Sequence, residues 1–465
     1  MNRCTPIVAV LALAAAPVPA APPTPDAVRV DAREIFAAAI GFETSIGRGQ
    51  VPKLAEYLAG RFRKGGFPAA DVQVLPLGET ASLVVRYRGD GSGGRPVAFL
   101  AHMDVVTAKR SDWQRDPFKL TEENGYFFGR GTSDVKQEVA LLTETFLRLK
   151  AEGFVPSRDL IIAFSGDEET EQATADDLVR HHRDLVDAEF ALNGDGGGGV
   201  LAEDTGRPSL FYVQGAEKYS VTFSVTTRNP GGHSSQPRAD NAIYELADAL
   251  KALQGYQFPV RWNDWTLGEF RAASLSTPGA LGAAMKRYAA DPHDAAAAAE
   301  LSQYPQYVGK LRTTCVATML QGGHAENALP QSATATVNCR VFPGTPVAEV
   351  EQTLQRLAGA KAEVRRNYEP TTSDASPLRD DVMRAVGRAV EAASPGARIV
   401  PTQAAYATDG LVYRNGGIPT YGVGSTFEKE SEVFAHGLNE RIPVSSFYNG
   451  LTYWYVLIKA LAGKG

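Results

Sequence analysis

Apolar residues change rhythm several times along the chain. From Ala32 to Phe67 they recur at helical spacing. Leu54, Leu58 and Phe62 share a face, Pro52 suits a first helical turn, and Gly65-Gly66 stops the pattern. Short continuous runs follow, each leading through a polar loop to a helical stretch. Val97-Ala-Phe-Leu-Ala101 and Leu160-Ile-Ile-Ala-Phe164 are the clearest, and Ala188 to Leu192 is weaker. Runs that are apolar on both faces predict strands buried between helix layers, hence an α/β, doubly wound, mostly parallel sheet. A long helix after Thr132 (Leu141, Leu142, Phe146, Leu149) and a last one from Ser445 to Leu461 complete that scheme.

The middle of the chain reads differently. Ser220-Val-Thr-Phe-Ser-Val-Thr226 alternates, the mark of a sheet with one wet face. A helix with Ile243, Leu246, Ala247, Leu250 and Leu253 on one face comes next. An alternating hairpin then runs from Arg312 to Leu320 and from Ser332 to Phe342. These elements predict a smaller α+β domain, 214–370, set into a larger one made of 21–213 and 371–465. Within it, 255–311 carries a Trp/Pro-rich stretch and the run Ala295 to Ala299, and reads as an insertion of its own.

Composition narrows the function classes. The 465 residues are 44% hydrophobic and 22% charged, so disorder and coiled coil are excluded. With a formal charge of -6 and no Lys/Arg-rich block, the chain offers nucleic acid no concentrated basic face. At the amino terminus, Arg3 followed by the apolar run Ile7 to Ala16 and by Val18-Pro19-Ala20 reads as a signal peptide, 1–20, cleaved after Ala20. No later segment reaches the length of a membrane-spanning helix, so a periplasmic or secreted protein without a stable anchor is expected. Cys4 leaves with the leader. Cys315 and Cys339 would then face each other across the hairpin, either bridged or as two buried thiols.

Chemistry gathers just past the apolar runs, where an open α/β sheet places its site. The residues there are His102-Met-Asp104, Asp167-Glu168-Glu169 and Asp195, and Asp134 opens the long helix. Taken singly, a His-X-Asp is an ordinary surface pair and a Glu-Glu at a helix start compensates the dipole. Taken together at one sheet edge, so many carboxylates repel unless a cation holds them. No Lys-Ser/Thr follows Gly196 to Gly199, so the phosphate-loop reading fails, and Gly424-Ser425 lacks the second flanking glycine of a nucleophile elbow, which leaves a serine hydrolase weakly supported.

Six segments in order carry a family resemblance: His102-Met-Asp104, Gly129-Arg-Gly-Thr-Ser-Asp134, Ser165-Gly-Asp-Glu168-Glu169, Asp195-Gly-Gly, Gly231-Gly-His233-Ser-Ser and His436-Gly-Leu-Asn-Glu. The chain resembles the dizinc carboxypeptidase and aminoacylase family, which includes glutamate carboxypeptidase, succinyl-diaminopimelate desuccinylase and yeast carboxypeptidase S. Its insertion and Gly-rich stretch look closest to the carboxypeptidase S branch. The resemblance implies two Zn²⁺, with Co²⁺ or Mn²⁺ as substitutes. His102 and Asp195 would hold one, Glu169 and His436 the other, and Asp134 would bridge them. Asp104 would fix the His102 tautomer, and Glu168 would be the general base for attack of water on an amide carbonyl. His233 would stabilise the oxyanion when the smaller domain closes as a lid, and Asn327 and Arg340 would contact substrate. A guanidinium at Arg340 suits a substrate carboxylate.

The implied activity is hydrolysis of a small peptide or N-acyl-amino acid beside a free carboxylate. A relative restricted to dipeptides is one alternative, and a non-catalytic two-domain periplasmic binding protein is another. All six ligand and base positions are intact, which favours the enzyme. Two departures concern the pocket: Val135-Lys-Gln137 after the bridging acid, and Thr170-Glu-Gln-Ala173, which lacks the family's usual glycines. A homodimer would let the lid histidine act across the interface, unless the insertion substitutes for a partner. His181, His182, His293 and His324 match no ligand position.

Overall fold

The computed structural model describes residues 23–463. The expected leader, 1–20, and Cys4 lie outside the described residues. Ten strands form the main sheet, in the order Val72–Leu77, Thr80–Tyr87, Leu160–Ser165, Val97–His102, Phe190–Asn193, Thr420–Gly422, Pro208–Glu217, Gly198–Leu201 and Phe427–Glu428, with Arg398–Ala404 pairing alongside Pro208–Glu217. The four central strands, from Leu160–Ser165 to Thr420–Gly422, run parallel. Antiparallel pairings lie toward the flanks.

Both faces of this sheet are covered, which explains the continuous apolar runs. Phe99 and Val97 enter one core with Phe36, Leu54, Phe146, Val386 and Trp454 from five helices. Ala98 and Leu100, one residue out of step, enter a second core with Leu178, Val186 and Tyr413 on the opposite face. Successive side chains of a strand point to opposite faces, so a strand between two helix layers can afford no polar position. The α/β, doubly wound reading therefore holds.

A second sheet of four strands, Thr314–Gly322, Ser332–Val341, Tyr219–Arg228 and Ala362–Arg366, is antiparallel throughout. Tyr219, Val221, Phe223 and Val225 are buried in alternation and pack with Leu246 and Leu354 from the helices Ala242–Gly255 and Val347–Ala358. Asn241 caps the first of these, its side-chain oxygen accepting from Ile243 N at 2.9 Å. The face of this helix is rotated from the sequence reading, since Ile243 is exposed while Ala249 is buried. Cys315 and Cys339 are register partners and form a disulfide. Thr314–Gly322 is the outer strand, and Val316, Met319 and Leu320 on it face solvent.

The stretch 255–311 forms four helices, Asp264–Ala273, Gly279–Ala290, Ala295–Leu301 and Pro305–Leu311, around Phe270, Met285 and Tyr288. Though inserted in the smaller sheet's part of the chain, it docks on the main sheet. Trp265 joins the main core and its indole N–H donates to Ser376 O at 2.7 Å. Gly215 makes room for it: a Cβ there would lie 1.9 Å from the Trp265 ring. Among the described residues, no helix is long and apolar enough to cross a membrane.

Candidate metal centre

Three of the central parallel strands end at one edge, and each delivers part of the site. Val97–His102 ends in His102, Leu160–Ser165 leads to Glu168 and Glu169, and Phe190–Asn193 leads to Asp195. Asp134 stands just ahead of the helix Lys136–Ala151, and His436 on the loop between Phe427–Glu428 and Arg441–Pro443. His102 Nε2 lies 2.9 Å from Asp134 Oδ1 and 3.9 Å from Asp195 Oδ2. His436 Nε2 lies 3.0 Å from both Asp134 Oδ2 and Glu169 Oε2. Two groups of ligand atoms result, His102/Asp134/Asp195 and Asp134/Glu169/His436, each within a 4.8 Å span and sharing Asp134.

Asp104 serves this cluster in two ways. Its backbone oxygen lies 3.1 Å from His102 Nδ1, and its carboxylate 3.5 Å, so the Nε2 side of the ring faces the acids. The same carboxylate accepts from Glu168 N at 3.1 Å and Glu169 N at 3.0 Å, fixing the loop that carries both glutamates. Gln172 belongs to the segment Thr170 to Ala173, where the sequence departs from the family's glycines. It occupies the left-handed region at φ 54°, where a side chain is normally disfavoured, and its amide donates to Glu168 Oε1 at 3.0 Å.

Electrostatics show what the cluster requires. Burial, and then the Asp195 charge, push Glu168 well above the usual carboxylate range, and burial does the same to Asp195. Burial opposes the charge on Asp134, yet hydrogen bonds from His102 and His436 outweigh it and hold that carboxyl low. Hydrogen bonds to Asp134 and Glu169 raise His436 to about 10. Carboxylates crowded in this way either take up protons or face a cation. The nitrogen and oxygen donors, three to a group with one shared, fit a pair of borderline or hard divalent ions.

Asp134, Glu169, Asp195 and His436 open on a cavity of about 790 Å³, which Glu168 and Arg340 also line, while His102 is buried behind it. Arg340 comes from the strand Ser332–Val341 of the smaller sheet. His233 and Asn327 do not line it. Both are exposed on the opposite end of that sheet's unit, where Gly232–His233 pairs with Ala328–Leu329 and Ser234 N donates to Asn327 O at 3.0 Å. The Gly-rich stretch after Asp195 forms one wall of the cavity. Gly197 has φ 69° and a Cβ there would lie 2.4 Å from Gly422 O, so no other residue fits.

One further residue, Asp409, escaped the sequence reading, and Lys136 belongs to a segment that it marked as a departure. Asp409 is buried, accepts a hydrogen bond from Ser165 Oγ, and is pushed by burial up to about 7. Lys136 is buried and donates to Ala39 O at 2.9 Å and Phe42 O at 2.8 Å, near the end of the helix Asp26–Gly41. That tie fixes the loop behind Asp134 and accounts for one of the two departures. Of the histidines set aside, His181 and His182 pair with Asp177, and His293 packs on Trp262.

Fold and donor set together describe an α/β protein whose main sheet carries a candidate site for divalent metal at one edge. Residues 98–460 match the profile of Peptidase family M20/M25/M40, and the chain belongs to that family of metallopeptidases and amidohydrolases. Human N-fatty-acyl-amino acid synthase/hydrolase PM20D1 is 25% identical over 402 residues, covering 82% of this chain and 77% of that protein. A probable succinyl-diaminopimelate desuccinylase of Staphylococcus aureus (strain Mu50 / ATCC 700699) is 28% identical over 313 residues, 65% of this chain and 69% of that one. Among solved structures, the M20 family metallo-carboxypeptidase Sso-CP2 of Sulfolobus solfataricus superposes with a TM-score of 0.69 at 17% identity, over 93% of this chain and 99% of that chain. Human carnosine dipeptidase 1 gives 0.64 at 15%, over 95% and 100%. The likeness to these two is one of fold.

Proposed function

We propose that the protein is an exported two-zinc hydrolase that cleaves the amide bond of a small peptide or N-acyl-amino acid next to a free carboxylate. The observation that carries this reading is the sharing of Asp134 between two ligand groups, with Glu168 beside them on the same cavity and in neither group. His102, Asp134 and Asp195 would hold one ion, and Asp134, Glu169 and His436 the other. When bound, the ions would polarise a carbonyl oxygen and lower the pKa of water.

The chain's own residues supply the proton traffic. Glu168 takes a proton from water as its oxygen bonds to the amide carbon. It then gives that proton to the leaving nitrogen as the C–N bond breaks. The Gln172 amide holds the Glu168 carboxylate in place. Arg340, which lines the cavity, would receive the substrate carboxylate. His233 and Asn327 reach the reaction only through closure of the smaller sheet or from a second copy. The acyl-amino-acid chemistry in the names of the human and Staphylococcus aureus relatives supports the substrate class. The Cys315–Cys339 bridge supports an oxidising compartment.

The test is metal content and turnover of the mature chain on N-acyl-amino acids, dipeptides and their carboxy-amidated counterparts, before and after chelation. Two zinc ions, chelator-sensitive cleavage and rejection of amidated substrates are expected. Glu168→Gln should keep both metals and lose ~10²–10⁴-fold in kcat, the usual contribution of a general base. Wild-type turnover in that variant would remove Glu168 from the mechanism.

A further inference from the structure

The two histidines of the metal centre are supported very differently. The His102 side chain is 1% exposed and sits on a central strand, whereas that of His436 is 53% exposed and sits on a loop. His436 is also in the left-handed region, φ 62°, as is Asn439 at φ 55°. A non-glycine residue persists there only when its surroundings hold it. The ring meets Asp134 and Glu169 only at its Nε2 tip, so contacts that fix this backbone conformation are to be sought on the backbone itself.

Arg130 makes such a contact. Its Nη2 donates to His436 O at 3.2 Å, and its Nη1 donates to Glu440 Oε2 at 2.6 Å. Glu440 is fully buried, and its other oxygen accepts three backbone amides, Gly131 N at 3.1 Å, Ser133 N at 2.8 Å and Asp134 N at 3.1 Å. The loop preceding the bridging acid is thus wrapped around one carboxylate oxygen. Through the guanidinium fork, the same carboxylate is tied to the backbone of the distal histidine. The Arg130 side chain is held in turn against Trp113, with its guanidinium carbon 5.1 Å from the ring centre.

We propose that Arg130 and Glu440 are positioning residues that set the affinity of the His436-side metal, by locking the His436 backbone to the Asp134 loop. This rests on the two-metal reading above. Glu440 holds the loop of Asp134, which both metals share, whereas the Arg130 fork alone reaches His436, so loss of the fork should weaken the His436-side metal and spare the one held by His102 and Asp195. A lysine at 130 keeps a cation facing Glu440 but has no fork with which to reach His436 O as well.

The experiment titrates metal-free protein with Co²⁺ against a competing chelator, following the visible spectrum and the stoichiometry, with thermal unfolding recorded alongside. The wild type should take up two equivalents. Arg130→Lys should fold, bind one equivalent with wild-type affinity and bind the second about 10–100-fold more weakly, the usual cost of losing a group that orients a ligand. His436→Ala should reproduce that loss of the second equivalent. Two wild-type affinities in Arg130→Lys, or equal weakening of both, would overturn the proposal. Failure of that variant to fold would overturn it too, assigning the pair to fold stability. A wild type that binds fewer than two ions would instead remove the two-metal reading, and this inference with it.

Discussion

Reducing the Cys315–Cys339 disulfide offers a perturbation that changes no side chain except at the bridge. The two cysteines are 24 residues apart in sequence and directly opposed in the sheet. Cross-linking a loop of that size removes chain entropy from the unfolded state, worth about 3.5 kcal/mol at 25 °C by the loop-closure relation. The strand Thr314–Gly322 has one neighbour, Ser332–Val341, and is exposed from Val316 onward, so packing does little to replace the bridge. With a urea dependence of ~2 kcal/mol/M for a unit of this size, reduction should lower the unfolding midpoint by ~1.7 M. Far-UV circular dichroism on oxidised chain and on chain treated with a phosphine reductant would measure it. A Cys315→Ala/Cys339→Ala chain serves as the control in which reductant has no effect. A shift below ~0.3 M would refute the reasoning, because the loop would then already be constrained without the bond. The same denatured, oxidised samples report on the leader: no reactive thiol if cleavage follows Ala20, one if Cys4 is retained.

Two other expectations follow from buried charge and exposed apolar surface. Burial, and then the neighbouring Asp31 carboxyl, push Glu144 up to about 9 from 4.5, so the native chain keeps a proton that the unfolded chain releases. Stability should therefore fall as pH rises between those values, by up to ~1.4 kcal/mol per unit for this proton. Glu144→Gln should flatten that slope between pH 6 and 8.5 and exceed the wild type in stability at pH 8; parallel urea midpoints in the two chains would exclude the assignment. Val316, Met319 and Leu320 on the outer strand lie exposed, with Ile243 and Tyr244 also exposed on the helix Ala242–Gly255 beside it. A second copy pairing there should give sedimentation at twice the chain mass, reduced to a monomer by Leu320→Glu; a monomeric wild type would rule this out.

What the sequence reveals of this protein depends on whether the deciding contacts are local. Val97 to Ala101 is legible because burial on both faces leaves no polar position, and the acids past such runs mark the sheet edge without further information. Arg398–Ala404 is a main-sheet strand too, and Asp409 lies just beyond it, yet Pro401 and its polar neighbours hide the strand and with it the acid. The position of the insertion is hidden for another reason. It is decided by Trp265 meeting Gly215 across some fifty residues, and nothing near either residue announces that fit. Glu440 is the sharpest case. In the chain it is the last letter of a segment that begins with a ligand, whereas in the fold it lies at the centre of three amides and an arginine. A ligand is recognisable by its chemistry wherever it stands. The groups that hold a ligand still are ordinary residues, and only the folded backbone shows which of them have been given that task.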